Sequence, residues 1–211
     1  MRQSIQKALA HFGWELCRLN DTEKGLVPSG ALFNYKEVQL FKAIAAPSQL
    51  SLDEARLLAD LVRNSDPQRP IIEIGTLFGW STRVMAVAKP KEQELITVDN
   101  YSWNPHGMSS DAHYRATRMA LSDAIANHNI RQVRMSKDEF YAQYSGPTPS
   151  LFFCDADHSY EATLADLKWA RSRGADVICG DDYSPEQFPG VVRAVEEMGG
   201  ARQLVEGFFV L

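Results

Sequence analysis

The sequence holds only three cysteines, Cys17, Cys154 and Cys179, with no Cys-x-x-Cys spacing, and the last two lie inside apolar runs. That pattern excludes a disulfide scaffold and a thiolate metal site, and fits small buried hydrophobes in a reducing compartment. No apolar stretch is long enough to span a bilayer, and Arg2, Lys7, Glu15 and Arg18 interrupt the first segment where a signal peptide would be uniformly apolar. A soluble, cytoplasmic protein with no membrane partner is expected. Positive charge is scarce too: the formal net charge is −5, and Arg115, Arg118, Arg131 and Arg134 are the nearest thing to a basic cluster. A phosphate backbone needs a continuous basic surface, so no nucleic-acid partner is expected. Repeats and low-complexity tracts are also missing. What remains is a 211-residue chain, 45% hydrophobic, which can bury one core without covalent staples.

Two segments stand out: Phe152-Phe153-Cys154-Asp155-Ala156-Asp157-His158 and Val177-Ile178-Cys179-Gly180-Asp181-Asp182-Tyr183. Each is an apolar run that ends in paired acids. In an open parallel sheet, ligands bind outside the carboxyl ends of the strands, so acids at that edge are candidates for chemistry. Singly, each cluster also reads as a helix start or a solvated turn. That reading leaves unexplained why both clusters end strands that should be neighbours.

The surrounding pattern supports such a sheet. Short β-branched runs at 71–74, 95–98, 132–135, 151–154 and 177–179 alternate with helical segments starting near Trp80, Asp111, Lys137, Ser159 and Phe188. This is the signature of βαβ units, and right-handed crossovers put all five strand ends on one edge. Residues 202–205 and 208–211, separated by Gly207, read as an antiparallel pair at the sheet's border. Before Pro70 the pattern is helical. Ile5, Leu9, Phe12 and Leu16 mark one amphipathic helix, 35–46 a second, and Ser51-Leu52-Asp53-Glu54 is a capping box opening a third. The chain therefore divides into a helical extension or lid, 1–69, and an α/β domain, 70–211. The amphipathic first helix is suited to cap the site or to meet a second subunit in a homo-oligomer.

At the first strand end, Glu73-Ile74-Gly75-Thr76-Leu77-Phe78-Gly79-Trp80-Ser81-Thr82 turns into a helix with its glycines four apart. Glycine allows a ligand to approach main-chain amides there, although the spacing is not the GxGxxG of dinucleotide binders. Asp99 ends the second strand, where an acid accepts hydrogen bonds from ribose hydroxyls, or else caps an Asx turn. Ser136 and Asp138 follow the third strand, and Ser136 reads equally as an N-cap for the next helix.

Taken together, the glycine turn, Asp99, the Asp155-Ala156-Asp157-His158-Ser159-Tyr160-Glu161 segment with Asp166-Leu167, and Gly180-Asp181-Asp182-Tyr183 with Phe188-Pro189-Gly190-Val191 resemble class I S-adenosylmethionine-dependent methyltransferases. More narrowly they resemble the branch of macrocin-type sugar O-methyltransferases and cephalosporin-hydroxylase-like proteins. The resemblance implies a Rossmann-like α/β fold: a mostly parallel seven-stranded sheet with an antiparallel C-terminal strand. It implies S-adenosylmethionine bound around Glu73, Gly75, Thr76, Gly79, Ser81, Asp99, Ser136 and Asp155. It further implies Mg²⁺ held by Asp155, Asp181 and Asp182, with Asp157 as general base and His158 as the competing base. Hard carboxylate oxygens suit that ion. Ala156 departs from the glycine usual between the two acids, and Trp80 is bulky beside Gly79. The acceptor is expected to be a hydroxyl of a sugar, phenol or secondary-metabolite scaffold.

Two rival functions remain open. An apolar strand followed by Asp-x-Asp also marks metal-dependent glycosyltransferases, which would leave the glycine turn unexplained. A non-catalytic methyltransferase-like module would leave the acids unexplained. His106, His113 and His128 follow the second strand without an assigned role, His106 in a loop that could reach substrate.

Overall fold

The computed structural model describes residues 50–103 and 107–211. The first two predicted helices, Cys17, His106 and the proposed subunit contact lie outside the described residues. The described chain runs α1 (Leu52–Arg63), β1 (Ile71–Ile74), α2 (Trp80–Ala88), β2 (Leu95–Asp99), α3 (Ser110–Ala120), α4 (Ser122–Asn127), β3 (Ile130–Arg134), α5 (Lys137–Gln143), β4 (Leu151–Cys154), α6 (Tyr160–Ser172), β5 (Val177–Gly180), α7 (Pro189–Glu197), β6 (Gln203–Val205) and β7 (Phe208–Val210). The predicted capping box is present on α1: Ser51 Oγ accepts from the Glu54 N–H, and Glu54 accepts from the Ser51 N–H.

The seven strands form one sheet in the order β3-β2-β1-β4-β5-β7-β6. Strands β1 to β5 pair in parallel, β7 runs antiparallel to β5, and β6 pairs antiparallel with β7. The fold expected from the sequence is therefore the fold observed. Several boundaries shift by about one residue, and two features differ by more. The third strand begins at Ile130, which pairs with Leu95, two residues before the expected start. The helical segment after β2 is split at Leu121 into α3 and α4.

Strand alternation explains the core. Ile71, Leu95, Leu151 and Phe153 face one side with α1 and α2, while Ile72, Ile96, Phe152 and Ile178 face the other with α5, α6 and α7. Both faces of the central strands are buried, as a parallel sheet between helical layers requires. Phe208, Phe209 and Val210 are fully buried, and the thiols of Cys154 and Cys179 are free and buried.

The strand order reverses direction between β1 and β4, since β2 and β3 extend one way and β5 the other. A crevice outside the carboxyl ends at such a reversal is where open α/β sheets place their ligands. Both the glycine turn and the first acidic cluster leave the sheet there.

Candidate active site

Four backbone bonds join the chain just past the strand ends. Met135 N–H donates to Asp99 O, Gly75 N–H to Val98 O, Asp155 N–H to Ile74 O and Asp181 N–H to Cys154 O, at 2.9–3.3 Å. The edge is continuous from β3 to β5. At Gly75, with φ +97°, a Cβ would stand 1.7 Å from the carbonyl oxygen of Asp155, so backbone packs on backbone and no other residue fits.

The glycine turn is held from three sides. Beneath it, Glu73 is fully buried and accepts 2.5 Å bonds from the Ser81 and Thr82 hydroxyls. Burial pushes its carboxyl up to about 7, against the lowering effect of those hydroxyls. Glu73 and Ser81, both expected beside the cofactor, thus face each other. On the second side, Asp99 Oδ2 accepts from the Thr76 and Leu77 N–H groups at 3.0 and 2.8 Å, and Oδ1 accepts from the Tyr101 N–H at 2.6 Å. Asp99 therefore shapes the turn itself, while a carboxylate's remaining lone pairs stay available at the rim. On the third side, the Leu77 carbonyl accepts from His113 and Thr117 of α3.

Gly79 opens α2 in the left-handed region, φ +83°, with no side chain capping the helix. No side chain occupies the first N–H groups of α2, and a helix start left in this way can receive an anionic group. Leu50, Gly75, Thr76, Leu77, Trp80, Ser81 and Asp155 enclose about 20 Å³ here, room for little more than a water. A large ligand would therefore lie across this rim and not inside it. Ser136 stands further along the edge as the N-cap of α5, in a capping box with Glu139. Its hydroxyl is occupied in the way the capping reading expected.

At the acid edge, Asp155, His158 and Asp182 converge, with their potential ligand atoms all within 4.8 Å of one another. His158 Nε2 lies 2.9 Å from Asp182 Oδ2 and 3.5 Å from Asp155 Oδ1, enclosed but aligned with neither as a hydrogen bond. The carboxylates of Asp155 and Asp182 push the imidazole up to about 10. Burial raises the Asp155 carboxyl. Asp182 takes the left-handed conformation, φ 65°, which aspartate tolerates better than most residues.

Asp181, expected to join Asp155 and Asp182, is not part of this group. It is buried, its Oδ1 accepts the Asp182 N–H, and burial with the nearby Asp155 and Glu54 raises its carboxyl to about 8. Asp157 also stands apart. Its Oδ1 accepts the Ser159 N–H, which lowers its pKa, and it faces solvent at the start of α6. Below the edge, Asp166 is buried and accepts from Lys137 at 2.8 Å, Tyr141 at 2.7 Å and the Cys154 thiol. That network ties α5 and α6 to the residue preceding Asp155. His113 and Thr117 went unassigned at the level of sequence. The available signal was their spacing of four on one helical stretch, which puts both on one face.

A family model described as a methyltransferase domain matches residues 72–183, more than half of the chain, from within β1 to the end of the second acid cluster. The chain belongs to this methyltransferase family. Among solved structures, the methyltransferase is similar to an O-methyltransferase from Bacillus cereus in complex with SAH, at 19% identity and TM-score 0.60, over 98% of this chain and 94% of that one. It is also similar to cofactor-bound Rv0187 from MTB, at 20% identity and TM-score 0.62, over 92% and 96% of the two chains. TomG from Streptomyces achromogenes, solved with SAM, gives 19% identity and TM-score 0.58 over 99% and 95%. At these identities the likeness is one of fold. No curated protein matches the chain significantly. Family and fold together bear out the expectation of a class I, S-adenosylmethionine-dependent methyltransferase. Among the described residues no helix is long and apolar enough to cross a membrane.

Proposed function

We propose that this methyltransferase carries a methyl group from S-adenosylmethionine to a hydroxyl of a small acceptor, with a divalent cation, preferably Mg²⁺, at the acid edge. The observation that carries this reading is the convergence of Asp155, His158 and Asp182 one strand away from a glycine turn shaped by Asp99. The residues fit both groups. The uncapped N-terminus of α2 suits a carboxylate, and the spare lone pairs of Asp99 suit ribose hydroxyls. Asp155 and Asp182 offer hard oxygens to a cation, and the Nε2 of His158, which now lies between them without an aligned hydrogen bond, is the group a cation would displace.

When bound, the cofactor supplies an electrophilic methyl and the cation lowers the pKa of the acceptor hydroxyl. The chain's own residues position the two partners, which is where most of the rate arises in a displacement of this kind. His158 is the better base of the two candidates. Its imidazole points at the acid edge, whereas the Asp157 carboxylate is spent on the Ser159 N–H. Were a cation to engage Asp155 and Asp182, the imidazolium of His158 would lose the partners that hold its proton, release that proton to solvent, and as the neutral ring accept the one from the acceptor hydroxyl.

Beside Asp182 a cleft of about 500 Å³ offers room for the acceptor. Glu54, Asp181, Asp182, Glu186 and Glu206 line it, with no Lys or Arg among the described lining residues. Neutral or cationic acceptors are favoured there over phosphorylated ones.

Isothermal titration tests the reading: SAH should bind in the micromolar range and UDP-glucose should not, and the reverse pattern would sink the assignment. Turnover on an acceptor found by screening small hydroxyl compounds should stop with EDTA and return with Mg²⁺. Turnover indifferent to EDTA removes the cation from the proposal and leaves methyl transfer standing.

A further inference from the structure

Leu77 sits at the centre of the glycine turn with φ 45°, a conformation that costs a leucine strain and persists only when its surroundings enforce it. Its N–H is fixed by Asp99 on β2. Its carbonyl is fixed by α3, where His113 Nε2 approaches at 3.1 Å and Thr117 Oγ1 donates at 2.5 Å. Both lone pairs of that carbonyl are therefore engaged from one helix face, and the Leu77 peptide groups are stretched between a strand and a helix.

Packing alone does not call for these residues. His113 is 1% exposed and Thr117 fully buried, and two apolar side chains would fill that space without burying polar atoms. The Nδ1 of His113 is enclosed with no hydrogen-bond partner, a further cost that the helix tolerates. The His113 ring meets Phe78 of the turn at 4.6 Å and the edge of Tyr101 at 5.2 Å, and the N–H of Tyr101 donates to the other oxygen of Asp99. Helix α3 thus contacts the Asp99 arrangement at both of its ends.

We infer that His113 and Thr117 are positioning residues for the cofactor, locking the Leu77 carbonyl and with it the turn in the form that accepts S-adenosylmethionine. This rests on the cofactor reading above. The lock keeps the Thr76 and Leu77 amides on one oxygen of Asp99, which leaves lone pairs of that carboxylate at the rim. Without it the turn relaxes toward ordinary leucine geometry, and the amides and carboxylate lose their register.

The test compares wild type with Thr117→Val, Thr117→Ser and His113→Phe, the last keeping the ring contacts while removing the donor. Thr117→Val and His113→Phe should each weaken SAH binding about five-fold, the effect of one hydrogen bond, and raise KM for S-adenosylmethionine with kcat unchanged. Thr117→Ser should restore binding to within about two-fold of wild type. In the free proteins, amide exchange at Thr76 and Leu77 should quicken in the first two variants and not in Thr117→Ser. SAH affinity and exchange equal to wild type in both Thr117→Val and His113→Phe overturn the inference, as does a Ser variant as impaired as the Val variant. If wild type itself ignores SAH, the cofactor reading falls, and exchange at Thr76 and Leu77 decides the lock independently: unchanged exchange refutes it.

Discussion

Replacing Glu73 by Gln isolates the electrostatic cost of keeping an acid under the glycine turn. Burial raises its carboxyl from 4.5 to about 7, so the folded protein binds a proton more tightly there than the unfolded chain does. Where the folded state holds more protons, stability falls as pH rises. The fall begins near the unfolded value of 4.5 and levels off above about 7, where both states are ionised. At about 1.4 kcal/mol per unit, this one group should remove about 2–3 kcal/mol of stability between about pH 5 and pH 8. Glutamine does not titrate, and the Ser81 and Thr82 hydroxyls can rotate to donate to its oxygen or accept from its amide. Urea unfolding followed by circular dichroism, on both proteins at acidic and alkaline pH, measures the difference directly. Glu73→Gln should gain on wild type by about 2–3 kcal/mol across that range. A wild type and variant whose stabilities run parallel with pH would refute the reasoning, because Glu73 would then be titrating as if it were in water.

Three other outcomes follow from the same geometry. In Asp182→Asn the imidazole of His158 should titrate clearly below its wild-type value of about 10, as read by NMR of the ring; the pairing it loses stabilises fully below pH 6.5 and fades as pH rises through about 10, so the variant's deficit should shrink at alkaline pH. Gly75→Ala should cost more than about 3 kcal/mol or prevent folding, while Gly107→Ala, with open space around it and φ +66°, should cost only about 1 kcal/mol, both measured by thermal melting. His158→Ala should abolish turnover on the screened acceptor, and Asp157→Asn should leave most of it; equal losses in the two variants would return Asp157 to the role of base.

Some of this was legible in the sequence and some was not, for reasons visible at single positions. Strands β1 and β4 could be read to the residue because both are short, mostly apolar runs buried on both faces, β1 between Pro70 and Gly75 and β4 ending at Asp155. β3 was shifted because Arg131 and Arg134 at the sheet border carry no apolar pattern, and its start is set by pairing with Leu95. The acids after β5 illustrate a different limit. Asp182 takes the left-handed conformation and joins Asp155 and His158, while Asp181, its carboxyl raised by burial and by the nearby Asp155, accepts the Asp182 N–H; nothing in an Asp-Asp pair foretells that division. That Glu73 is buried against Ser81 and Thr82 was not legible, because those hydroxyls lie eight and nine residues on and meet it only once the chain has folded back.

The four backbone bonds across the strand ends have a consequence for what this enzyme can become. From β2, which carries Asp99, to β5, which leads into Asp182, the edge crosses three strand spacings, about 14 Å in all. That length is set by the hydrogen bonds of the main chain and not by any side chain, so substitution cannot stretch or shorten it. Under the proposed function, the sheet is a fixed ruler between the end that would hold a nucleoside and the end that would hold the acceptor. New acceptors must be accommodated by the loops beyond the ruler's ends, over a gap that stays the same.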